Sequence, residues 1–173
     1  MSEPKNVKIG ELSPSQLLYS FGIGAIVDMP HLSVIVSGLE DWPLDPSYVK
    51  EIQEERLLYA VKNQLGYQVQ RLLSLPVVPE RGERPNPFDR QEHIGVPVST
   101  FPQWMVCPAC QVMAPLSSGL FELKVDYFHV DRTHYEHVNC QRAKNPTVLP
   151  ARFLVTCENG HLDDFPWVEY VHH

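Results

Sequence analysis

Phe101–Cys110, FPQWMVCPAC, runs from a proline-flanked start through an apolar stretch into two cysteines. PQWMV reads as a short strand, and it delivers Cys107 into a turn that brings Cys110 back three residues later. Cys-x-x-Cys with proline after the first cysteine is the pattern of a zinc knuckle. Two thiolates at i and i+3 can hold one ion while backbone amides point at the sulfurs. The rival reading is a redox pair. That needs a thioredoxin-like βαβ setting, and no helical pattern follows Cys110.

The chain has four cysteines. Cys140 lies in His137-Val-Asn-Cys140, where H-x-x-C copies the C-x-x-C spacing. Cys157 ends the apolar run ARFLVTC, residues 151–157. WMVC and FLVTC are alike, each an apolar strand that carries a thiol to a turn, and the likeness suggests that the two strands are neighbours. The expected ligands of a Zn2+ site are therefore Cys107, Cys110, Cys140 and Cys157, with His137 as the alternative fourth ligand and His161 as a weaker competitor. Buried thiols without metal are the plain alternative.

After Cys157 comes ENGHLDDFPW, which raises the question of catalysis. A catalytic zinc keeps an open position beside a general base, and Glu158, Asp163 and Asp164 are near in sequence. The deaminase pattern is not met: proline stands between the cysteines and no H-x-E precedes them. Asp163 and Asp164 make a poor acid/base pair, because adjacent residues point apart on a strand and about 100° apart on a helix. Their plainer role is to cap and charge a helix beginning at Asp163 or Asp164. Asn159-Gly160 should make a tight turn with positive φ at Gly160, with Phe165 and Trp167 packed inward.

Composition bounds the rest. The 173 residues are 43% hydrophobic and 20% charged, enough for a core, and 16 prolines against 9 glycines favour short elements and stiff loops. The net charge is −7, with 14 basic side chains scattered apart from a mixed patch at Arg81, Glu83 and Arg84. Such a chain should bind DNA weakly on its own, since release of counterions requires clustered Lys and Arg. No apolar run reaches membrane-spanning length and the N-terminus has no secretory h-region, so the chain reads as cytosolic, where cysteines favour metals over disulfides. FGIGA (21–25) is no nucleotide loop: a helix precedes it and a strand follows, the reverse of what a dinucleotide site needs.

Along the chain, Ser13-Pro14 starts a short helix, and GAIVDM and LSVIVSGL read as a hairpin. Residues 51–66 form the best helix, with Leu57, Val61 and Leu65 at spacing four and Gly66 as the stop. Five prolines fall in 76–97, a long loop. The expected fold is α+β: short strands, a few helices, proline-rich loops and a zinc-ribbon-like knuckle in the second half. The divisions are a helix and strand-pair module at 1–75, a proline-rich linker at 76–100 and a zinc-knuckle β-rich module at 101–173, or all of these as one domain. The chain stops inside what reads as a structured segment, as a fragment of a longer protein does. Trp42 and Phe88, in turn and loop settings, are candidate apolar anchors for a partner.

Two long blocks, SPSQLLYSFGIGAIVDMPHLSVIVSGLEDW (13–42) and PARFLVTCENGHLDDFPWVEYVHH (150–173), with EERLLYAV and FPQWMVCPAC between them, resemble the N-terminal region of the DrmB family. DrmB proteins are zinc-containing, helicase-associated components of the DISARM anti-phage defence system. The resemblance implies a DrmA-like helicase as partner, DNA engaged through the complex rather than by this chain alone, and work alongside a DNA methyltransferase. It carries over no catalytic residue. A non-catalytic, zinc-stabilised scaffold is the reading that follows. A metal-dependent hydrolase or nuclease centred on Cys157, His161, Asp163 and Asp164 is the alternative.

Overall fold

The computed structural model describes residues 7–77 and 94–172, and they divide between two compact units. The Arg81, Glu83 and Arg84 patch, most of the long loop and the proposed anchor Phe88 lie outside the described residues.

One unit takes in Ser37–Pro97. A 3-10 turn at Leu39–Asp41 is followed by Trp42, whose indole N–H donates to the Ser37 carbonyl at 3.0 Å. The half-buried Trp42 thus closes its own turn. Helix α2, Glu55–Leu65, starts where the Glu54 side chain accepts the Arg56 N–H and stops at Gly66, whose φ of 93° ends the helical path. It buries none of its residues fully.

The other unit takes in Val7–Val36 and Val98–His173. Helix α1, Pro14–Tyr19, opens on a capping box: the Ser13 hydroxyl accepts the Gln16 N–H, and the Gln16 side chain accepts the Ser13 N–H. Strands β1 (Ile26–Asp28) and β2 (Ser33–Val36) form the expected hairpin in the register Val27↔Val34. β3 (Val98–Thr100), inside the stretch read as a linker, adds to the far edge of β2, with Ile35 opposite Ser99. Val27, Val34 and Val36 are buried.

The remaining strands build the site. β4 (Trp104–Val106) pairs with β5 (Met113–Pro115) on one side and β8 (Leu149–Pro150) on the other. β6 (Phe121–Lys124) pairs with β7 (His134–His137), and β7 leans on the segment before β8 through a Glu136↔Thr147 bridge. Met105, Cys107, Ala114, Phe121 and Val148 form the core cluster between these ladders, with Cys110 and Cys140 packed against it. All strand pairs are antiparallel and short, and the helices are few: the fold is α+β, with the knuckle in its second half.

β9 (Leu154–Thr156) does not join β4; it pairs with β10 (Leu162–Asp164). The turn between them is tight as expected: the Gly160 N–H donates to the Cys157 carbonyl at 2.9 Å, with Gly160 at φ 82°. The helix expected from Asp163 or Asp164 begins later, as α3 at Trp167–His172. β9 recruits Leu162–Asp164 as a strand, and Pro166, which has no N–H to donate, stands where α3 starts and accepts the Tyr170 N–H. Phe165 and Trp167 are half-buried and pack against each other at a tilt of 55°, with ring centroids 4.6 Å apart.

Candidate metal centre

Each ladder ends in a turn that carries soft ligands. The β4–β5 hairpin turns through Cys107–Val112, where the Cys107 N–H donates to the Val112 carbonyl at 2.9 Å and the Gln111 N–H donates to the Cys107 carbonyl at 2.8 Å. Gln111 closes this turn in the left-handed region, at φ 62°. The second turn leaves β7 at His137, whose N–H donates to the Pro146 carbonyl, and Asn139 at φ 60° swings the chain so that Cys140 comes round. Because β8 hydrogen-bonds to β4 while Val148 bonds back to Tyr135 of β7, the two turns end side by side.

Cys107, Cys110, His137 and Cys140 thereby offer one donor atom each, all within 4.8 Å of one another, and this is the one such group among the described residues. Cys110 Sγ and His137 Nδ1 are 3.4 Å apart. A tetrahedral ion with Zn–S of about 2.3 Å and Zn–N of about 2.0–2.1 Å has S···N edges of about 3.5 Å. The separation fits that edge. Three thiolates and an imidazole are also the donor set that a closed, thiophilic site uses. These four residues can hold a metal ion.

The surroundings act in opposite directions on two of the sulfurs. The Arg142 N–H, then the Ala143 N–H and the neighbouring thiols, hold the Cys140 thiol below its usual range against the pull of desolvation. At Cys110 the Val112 N–H also favours the thiolate, but desolvation and the thiols of Cys107 and Cys140 outweigh it, and the net direction is up. Desolvation, and after it the crowding of like groups, is the physical cause, and a cation among the sulfurs offsets both. In both turns the amide two residues after the cysteine points at the sulfur. Cys107 is fully buried and His137 is 7% exposed, its ring edge-on to Phe121 at 5.4 Å.

Of the residues singled out from the sequence, the structure brings Cys107, Cys110, Cys140 and His137 together and leaves Cys157 outside. Cys157 is exposed on the β9–β10 turn, its Sγ 3.3 Å from His161 Nδ1. The expected approach of its strand to β4 fails because β5 and β8 already occupy both edges of β4. Asp163 and Asp164 point apart. Asp163 accepts the Asp164 N–H, while both oxygens of Asp164 lie 3.0 Å from the Gln103 N–H they accept, and Oδ1 is 3.4 Å from that of Trp104. Asp164 is thus neither a helix cap nor half of an acid pair; it clamps the backbone leading into β4. Sequence reasoning missed this role and the left-handed Gln111, whose residue type gives no signal for it; the left-handed Asn139 it also missed, though Asn is the non-glycine type that most readily adopts that conformation.

Residues 13–173 match the family model described as a domain of unknown function, DUF8724. The chain belongs to this family. It is also similar to the DISARM protein DrmB of Bacillus paralicheniformis, 32% identical over 83 residues that make up 47% of this chain. The matched stretch is 13% of that protein's length. The DUF8724 match takes in α1, both ligand-bearing turns and the β9–β10 hairpin. Among the described residues of this DUF8724 chain, no helix is long and apolar enough to cross a membrane.

Proposed function

We propose that this chain is a non-catalytic, zinc-stabilised scaffold module of a DISARM-like anti-phage complex, acting beside a DrmA-like helicase. The observation that carries the reading is the likeness to a protein named as a DISARM component. The metal centre supports it. Cys107, Cys110, His137 and Cys140 supply four protein ligands, the full set of a structural zinc, and leave no position for a reacting water. The role of zinc here is to tie the β4–β5 turn to the turn after β7.

A net charge of −7 supports the division of labour: the helicase contacts DNA, and this chain contributes a protein surface. The test is a pull-down with a DrmA-like helicase, followed by DNA titrations with and without this chain. The expected result is association that weakens with salt, weak DNA binding by the chain alone, and a changed DNA affinity of the helicase when the chain is present. Tight, salt-resistant DNA binding by the isolated chain would contradict the reading, as would turnover of a nucleic acid abolished by Cys157→Ala.

A further inference from the structure

The β9–β10 turn resembles the metal centre's own turns more closely than a plain hairpin requires. Its three-residue loop, Glu158-Asn159-Gly160, is closed by Cys157 N–H to His161 carbonyl at 3.1 Å and by Gly160 N–H to Cys157 carbonyl at 2.9 Å. The β4–β5 turn is built the same way: the backbone of its first cysteine is bonded at both its N–H and its carbonyl, and a left-handed residue closes it. In both places the construction presents a pair of soft ligands. Cys157 Sγ to His161 Nδ1 is 3.3 Å, against 3.4 Å for Cys110 Sγ to His137 Nδ1 in the cluster. Both match the S···N edge of about 3.5 Å around a tetrahedral zinc. The difference lies in access. Cys107 and His137 are buried, whereas Cys157 and His161 are exposed, with no third Cys, His or carboxylate donor atom within 4.8 Å of both among the described residues.

We propose that Cys157 and His161 form a second, two-ligand site for a thiophilic divalent cation, separate from the cluster of Cys107, Cys110, His137 and Cys140. An ion held there keeps two coordination positions for donors from outside these residues. The site is therefore weaker than the cluster.

The test uses the whole chain, reduced, stripped of metal and titrated with Co2+ as the spectroscopic probe. The expected result is two equivalents. The first is tight, with the absorption of three thiolates; the second is weaker, with the charge-transfer band of one. Cys157→Ser and His161→Ala should each abolish the second equivalent and leave the first, which also reports that the variant is folded. Saturation of the native chain at one equivalent would overturn the proposal, as would a second equivalent untouched by both substitutions. If the first equivalent were absent while a second persisted and depended on Cys157, the zinc reading of the cluster would fail and this site would stand.

Discussion

Gln111 holds a backbone conformation that its own side chain opposes. At φ 62° it closes the turn that aims Cys110 at the other ligands, and a left-handed L-residue costs about 1–2 kcal/mol. Gln111→Gly should relieve part of that, raising the stability of the metal-loaded protein by about 0.5–1 kcal/mol in urea unfolding. Gly160 is the converse. It sits at φ 82° with open space where a Cβ would go, so Gly160→Val should cost about 1–2 kcal/mol through backbone strain alone, and Gly160→Asn much less. Equal stability of the Val and Asn variants would mean that the turn does not need its left-handed residue. The legibility of the site divides along the same line. Cys107 and Cys110 were readable because their spacing is local chemistry. The likeness of WMVC to FLVTC ranks Cys157 above His137, and the structure reverses that order, since the choice depends on which strand lies beside Met105, and that strand carries Pro150.

Elements whose ends are set by neighbouring residues were readable, and those set at long range were not. Ser13-Pro14 and Gly66 mark their helix ends through caps and φ, and the β1–β2 hairpin follows from its β-branched runs. α3 was misplaced because the acidic pair before it has the composition of a helix start, while its actual fate is fixed by β9 and by the Gln103 backbone. This long-range tie can be measured. Asp164→Ala removes the acceptor for the N–H groups of Gln103 and Trp104, and should destabilise the chain by about 1–2 kcal/mol, the worth of a half-buried charged hydrogen bond. Asp164→Asn, which keeps one acceptor oxygen, should recover part of the loss. An unchanged unfolding midpoint for Asp164→Ala would show that the β9–β10 hairpin stands without the clamp.

In the whole molecule, short strands and small clusters leave little apolar burial to hold the second unit together. Its core cluster of Met105, Cys107, Ala114, Phe121 and Val148 packs directly against the ligand-bearing turns. Structural zinc contributes apparent binding energies of about 10–16 kcal/mol in small domains, comparable to the whole stability of a typical fold at about 5–15 kcal/mol. On this account the metal is a structural member, and removing it should loosen β4 to β8 together. The measurement that tests this most directly is zinc per chain after exhaustive dialysis, paired with near-ultraviolet circular dichroism, for the native chain and single-ligand variants. Dialysis removes weakly held metal, so the native chain should retain one zinc. Cys107→Ser, Cys140→Ser and His137→Ala should each lose it together with tertiary packing, while Cys157→Ser keeps both. Retention of zinc by His137→Ala with loss in Cys157→Ser would contradict the account, as would a native chain that keeps its packing unchanged in chelator.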